Sequence, residues 1–198
     1  MTDRVLEFFF DVGSPTTYLA WTQIPRIEAS TGARVDRKPL LLGGVFKATH
    51  NASPATIPAK GMHMLIDLQR FARRYEVLFS YNPHFPINTL ELMRMITGVQ
   101  LRMPGRFIEF ADLIFRSLWV DQLNLGKPEI LSETLSRAGF DVEEIYALSV
   151  DPEVKDQLKA NTEEAVRRGA FGAPTFFVGT EMFFGQDRLD FVEEALKA

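Results

Sequence analysis

The chain has 198 residues, of which 46% are hydrophobic and 24% charged, with no cysteine and a formal net charge of -4. That length suits one domain, or one domain with a large insertion, able to bury a core without disulfide or metal staples. The acidic balance excludes a strong basic field for nucleic acid, the lack of cysteine excludes disulfide exchange by the protein's own sulfur, and no apolar run nears a membrane span.

Val5 to Phe10 is apolar except for Glu7 and reads as a buried strand. Asp11, Val12 and Gly13 turn the chain, and Ser14-Pro15 then reads as a helix start, with an N-cap serine and proline at the first helical position. No leader pattern of charged, apolar and small-residue regions precedes this strand, and the protein reads as cytoplasmic. Tyr18, Leu19, Trp21, Ile24 and Ile27 form one helical face up to Gly32, with a kink expected at Pro25. Arg34 to Leu42 reads as a second strand, completing a βαβ unit. Gly43 to Lys60 reads as a long irregular loop, and Gly61 to Gly169 as almost wholly helical. Asn88, Lys127-Pro128, Asp141 and Asp151-Pro152 are the expected helix starts, and Gly139 a stop. Thr175 to Val178 and Glu181 to Phe184 read as a hairpin through Gly179-Thr180. Asp187 is then expected to cap a last helix carrying Leu189, Phe191, Val192 and Leu196.

The order βαβ, helical block, ββα predicts an α/β fold with a large all-helical insertion packed over the sheet. The expected division is 1–42 with 170–198 as one discontinuous domain, and 43–169 as connecting loop and helical insertion. Three segments carry the candidate chemistry: Asp11-Val12-Gly13-Ser14-Pro15, Gly172-Ala173-Pro174-Thr175, and Phe184-Gly185-Gln186-Asp187-Arg188. The element order predicts that all three meet at one end of the sheet. His50, His63 and His84 have no metal-ligand spacing, so no metal site is expected.

A strand, a turn, a reactive position at a helix start and a late Gly-x-Pro-Thr together resemble the thioredoxin superfamily, and with the helical insertion its DsbA-like branch. Ser14-Pro15-Thr16-Thr17 stands where that branch carries its cysteine pair. Serine at this site resembles the 2-hydroxychromene-2-carboxylate isomerase family and the related kappa-class glutathione transferases. The likeness extends through Leu42-Gly43-Gly44-Val45-Phe46-Lys47-Ala48-Thr49, Asn51, Pro58-Ala59-Lys60-Gly61 and Phe85-Pro86-x-Asn88-Thr89. Two positions depart from it: Thr16 replaces a usual aromatic, and His50 a common glycine.

A helix N-terminus carries unpaired N–H groups and about half a positive charge, so it favours a thiolate over a thiol. With no cysteine in the chain, that sulfur must be borrowed, and the resemblance implies glutathione as cofactor. Ser14 is then the catalytic candidate, its hydroxyl donating to the sulfur. The resemblance implies a cis bond at Ala173–Pro174 whose backbone meets the tripeptide, with Gln186 and Asp187 at its γ-glutamyl end and Asn51 and Lys60 as further contacts. It implies a small aromatic carboxylate as substrate, with Lys47 holding its anionic group and Phe46, Phe85 and Asn88 lining the ring pocket. Lys47 and Lys60 read by default as solvated surface lysines, and Ser14 is a helix cap in either case. The activity implied is conversion of 2-hydroxychromene-2-carboxylate to trans-o-hydroxybenzylidenepyruvate, in aromatic-compound catabolism. A kappa-like transferase and a non-catalytic peptide-binding module remain as alternatives, and a homodimer is implied by resemblance alone.

Overall fold

The computed structural model describes residues 4–198. Strands β1 (Val5–Phe10), β2 (Arg34–Pro39), β3 (Thr175–Val178) and β4 (Glu181–Phe184) form a sheet in the order β2-β1-β3-β4. β1 runs parallel to β2 and antiparallel to β3, and β3 and β4 form a hairpin with Val178 opposite Glu181. β1 is therefore an interior strand, and its aromatic run fills both faces. Leu6, Phe8 and Phe10 enter the larger core cluster, while Phe9 enters a smaller one with Leu40, Val45, Ala165 and Phe177. Phe8 stacks on its cross-strand partner Phe176 at 4.8 Å between ring centres.

Between β1 and β2 lies α1 (Pro15–Thr31), which ends at Gly32 with a left-handed φ of 68°. α1 runs through Pro25 as a single helix, with that proline on its exposed side. Between β2 and β3 lie α2 (Leu42–Thr49), α3 (Pro58–Arg74), α4 (Leu90–Arg102), α5 (Phe107–Trp119), α6 (Pro128–Arg137), α7 (Val142–Val150) and α8 (Pro152–Arg167); α9 (Leu189–Lys197) closes the chain. The Asp141 and Asp151 carboxylates cap α7 and α8 by accepting from Glu144 N and Glu153 N. The helices share the sheet's core: Phe10 meets Phe107 and Phe115 at 6.4 and 6.2 Å between ring centres. No helix among the described residues is long and apolar enough to cross a membrane.

Four local expectations are corrected. β2 stops at Pro39 rather than Leu42, because Leu42 opens α2. The stretch expected to be an irregular loop contains α2 in full, despite its glycine pair. Val45 is completely buried there, and a Cβ at Gly44 would lie 3.2 Å from Thr162 Cγ2 on α8. Tertiary packing outweighs the weak helix propensity of glycine. The helical block is broken by an irregular passage between Tyr75 and Leu90 that includes a cis Phe85–Pro86 bond. Asp187 does not cap α9: it lies in a 3-10 turn, Gln186–Arg188, and its carboxylate pairs with Arg188 at 2.7 Å.

Thr17 is completely buried in the first turn of α1, and its Oγ1 has no hydrogen-bond partner. A buried hydroxyl without a partner costs about 1–3 kcal/mol of desolvation. Thr17→Val keeps the branched shape and removes the polar atom, so thermal unfolding should show the variant more stable, by about 1 kcal/mol.

Candidate active site

The turn that follows β1 is held from several sides before any ligand is considered. The Trp119 indole N–H at the end of α5 donates to the Val12 carbonyl at 2.7 Å. Asp11, with no exposed surface, accepts from Gly13 N at 2.8 Å through Oδ1, and from Leu42 N at 2.7 Å and the Thr89 hydroxyl at 3.2 Å through Oδ2. One carboxylate thus fastens the turn, the first residue of α2 and the residue preceding α4. Burial pushes its carboxyl above the ordinary value, against the pull of those three donors. Gly13 must lack a side chain here, since a Cβ would sit 2.7 Å from Thr89 Cγ2.

Ser14 emerges from this turn as the N-cap of α1, its Oγ accepting from Thr17 N at 3.2 Å. The same hydroxyl donates to the Ala173 carbonyl at 3.0 Å. Ala173–Pro174 is a cis bond, and Pro174 O accepts from Gly185 N at 3.0 Å. Two backbone-anchored contacts therefore join the three segments singled out in the sequence at one end of the sheet. Gly185 adopts φ 100°, and a Cβ there would lie 2.5 Å from Asp187 Oδ1, so glycine is required at that corner. The buried Gln186 is fastened from the residue that follows α3, where the Tyr75 hydroxyl donates to its carbonyl at 2.6 Å. Burial and the nearby Asp190 and Asp187 push the Tyr75 phenol up to about 12, so it remains a donor at any ordinary pH.

These elements border a cleft of about 1250 Å³. Ser14, Phe46, Asn51, Lys60, Phe85, Asn88, Ala173, Gln186 and Asp187 all line it. Pro174 does not line the cleft; its cis bond follows Ala173, which does. Asn51 already uses its amide, donating to Phe171 O and accepting from Ala52 N, each at 2.9 Å. Asn88 Oδ1 accepts from Leu90 N at 3.1 Å at the start of α4. Lys47 does not line the cleft either: it is exposed on α2. Neighbouring helical residues point about 100° apart, so with Phe46 on the cleft the lysine turns elsewhere. The expected cation for a substrate carboxylate is thereby not in place.

Sequence reasoning passed over several cleft residues. Asp11 was legible only as a turn residue, since two of its three donors, Leu42 N and the Thr89 hydroxyl, come from distant elements. His63 and Asp67 line the cleft from α3, and their spacing of three and seven from Lys60 was the available signal. His50 closes α2 in a left-handed conformation, φ 54°, which explains physically why glycine suits that position.

Residues 5–197 match the model of the DSBA-like thioredoxin domain. The chain belongs to this family. Glutathione S-transferase kappa 2 of Caenorhabditis elegans is 31% identical to it, with 98% of this chain and 94% of that protein aligned. The 2-hydroxychromene-2-carboxylate isomerase of Sphingobium xenophagum is 26% identical over 98% of both. A solved 2-hydroxychromene-2-carboxylate isomerase structure superposes with a TM-score of 0.84 and 23% identity, covering 97% of this chain and 94% of that one.

Proposed function

We propose that the protein is a glutathione-dependent enzyme acting on conjugated electrophiles, with isomerisation of the 2-hydroxychromene-2-carboxylate type as the leading reaction. The observation that carries this is the Ser14 hydroxyl at the N-terminus of α1, directed across the cleft at the carbonyl before a cis proline. The donor set suits the tripeptide. The start of α1 offers N–H groups and a positive potential to an anionic sulfur. Lys60 provides a cation for a carboxylate, and Gln186 and Asp187 provide acceptors for an α-amino group. Asn51, engaged with Phe171, holds the wall that leads to Ala173.

When bound, glutathione supplies a thiolate that adds reversibly to a conjugated alkene, allows rotation about the former double bond and is released unchanged. Ser14 donates a hydrogen bond to the sulfur, keeping its own proton, and so holds the anionic form. Ala173 presents its backbone to the extended peptide beside Pro174. Phe46 and Phe85 supply apolar wall for an aromatic group.

The position of Lys47 favours a second reading. Without that cation at the cleft, a kappa-type transferase acting on electrophiles that lack a carboxylate fits as well. Incubation with glutathione and 2-hydroxychromene-2-carboxylate separates the two. Isomerisation changes the substrate's spectrum with the thiol titre constant, whereas transfer consumes thiol in step with product. If calorimetry finds no glutathione binding, both readings fail.

A further inference from the structure

Three contacts around Ser14 share only two protons. Ser14 Oγ donates to Ala173 O at 3.0 Å, Thr16 Oγ1 lies 3.3 Å from the same carbonyl, and the two hydroxyl oxygens are 2.8 Å apart. Ser14 and Ala173 are 5% and 7% exposed, so water has little access to replace a lost partner. Thr16 is half-buried on the cleft wall. A serine already donating to a carbonyl cannot give the same proton to a sulfur. Turning it away alone would leave a buried acceptor unpaired, which opposes the turn.

We propose that Thr16 is a positioning residue for the borrowed thiolate: it holds the Ala173 carbonyl and thereby frees the Ser14 hydroxyl to hydrogen-bond the sulfur. This inference rests on the glutathione reading. The thiol proton leaves to solvent, Ser14 O–H turns to the sulfur, and Thr16 O–H donates to Ala173 O. The Ser14 Oγ lone pair facing Thr17 N remains in use throughout, so α1 keeps its cap.

The test is ultraviolet titration of the thiolate of glutathione bound to the parent protein, Thr16→Val and Thr16→Ser. Thr16→Val should raise the bound thiol's pKa by about one unit, a tenfold loss of thiolate at a pH below both values. Thr16→Ser should restore the parent curve. Affinity for S-methylglutathione, which has no thiol proton, should be unchanged in all three by calorimetry. A Thr16→Val curve that overlies the parent's overturns the proposal. A parent protein that leaves the bound thiol near its solution value of about 8.5 overturns the glutathione reading, and this inference with it.

Discussion

Ser14→Ala is expected to lower turnover with glutathione about 100-fold, the usual scale for removing one donor aimed at developing or localised negative charge. The same change costs the α1 cap about 1 kcal/mol, or about 2–4 °C in melting temperature for a chain of this size. The two effects are separable because the hydroxyl has two distinct uses. Its lone pair accepts from Thr17 N, and its proton goes to the Ala173 carbonyl or to a ligand. Steady-state kinetics and a melting curve on one preparation check both. A variant that loses stability while retaining full turnover would reduce Ser14 to a helix cap.

Asp11→Asn should be the most damaging single substitution for stability near the site, by about 3 kcal/mol, or about 6–12 °C. Every hydrogen bond described at this carboxylate is one it accepts: Gly13 N on Oδ1, Leu42 N and Thr89 Oγ1 on Oδ2. An amide offers one acceptor oxygen and sets an NH2 against at least one of these donors. The start of α2 and the approach to α4 lose their common tie to the Ser14 turn. The pH dependence has a definite sign. The folded protein holds the Asp11 proton more tightly than the unfolded chain does, because burial outweighs the three donors. Between the ordinary value of 3.8 and the raised folded value, the folded state therefore binds more protons, and Asp11's stabilising contribution falls as pH rises through that window. Chemical denaturation of parent and variant across this range should show the stability gap widest at low pH and narrowing upward.

Much of the scaffold is written in local pattern. The aromatic β1, Ser14-Pro15, the Asp141 and Asp151 caps and the Gly179-Thr180 hairpin each follow from neighbouring residues, and the structure places them as the spacing predicts. What escaped depends on residues far away in sequence. α2 forms because Val45 is buried and α8 closes on Gly44, a fact no window around residues 42–49 contains. Asp187 has the residue type of a cap, yet the corner at Gly185 places it in a turn ahead of α9. Phe46 and Lys47 share one motif, but helix geometry sends only the phenylalanine to the cleft. The convergence of three distant segments was legible from element order, while the pairing of Ser14 with Thr16 over one carbonyl required coordinates.

The bond between Ser14 and Ala173 spans 159 positions of the chain. During translation, α1 and its serine leave the ribosome well before the opposite wall, which follows 159 positions later. A stalled or clipped product that ends before β3 retains the first helix but lacks the strand that borders β1 and the carbonyl that orients the hydroxyl. Synthesis thus separates the two halves of this wall in time: the Ser14 hydroxyl meets its carbonyl only in polypeptides extended through the cis Ala173–Pro174 bond.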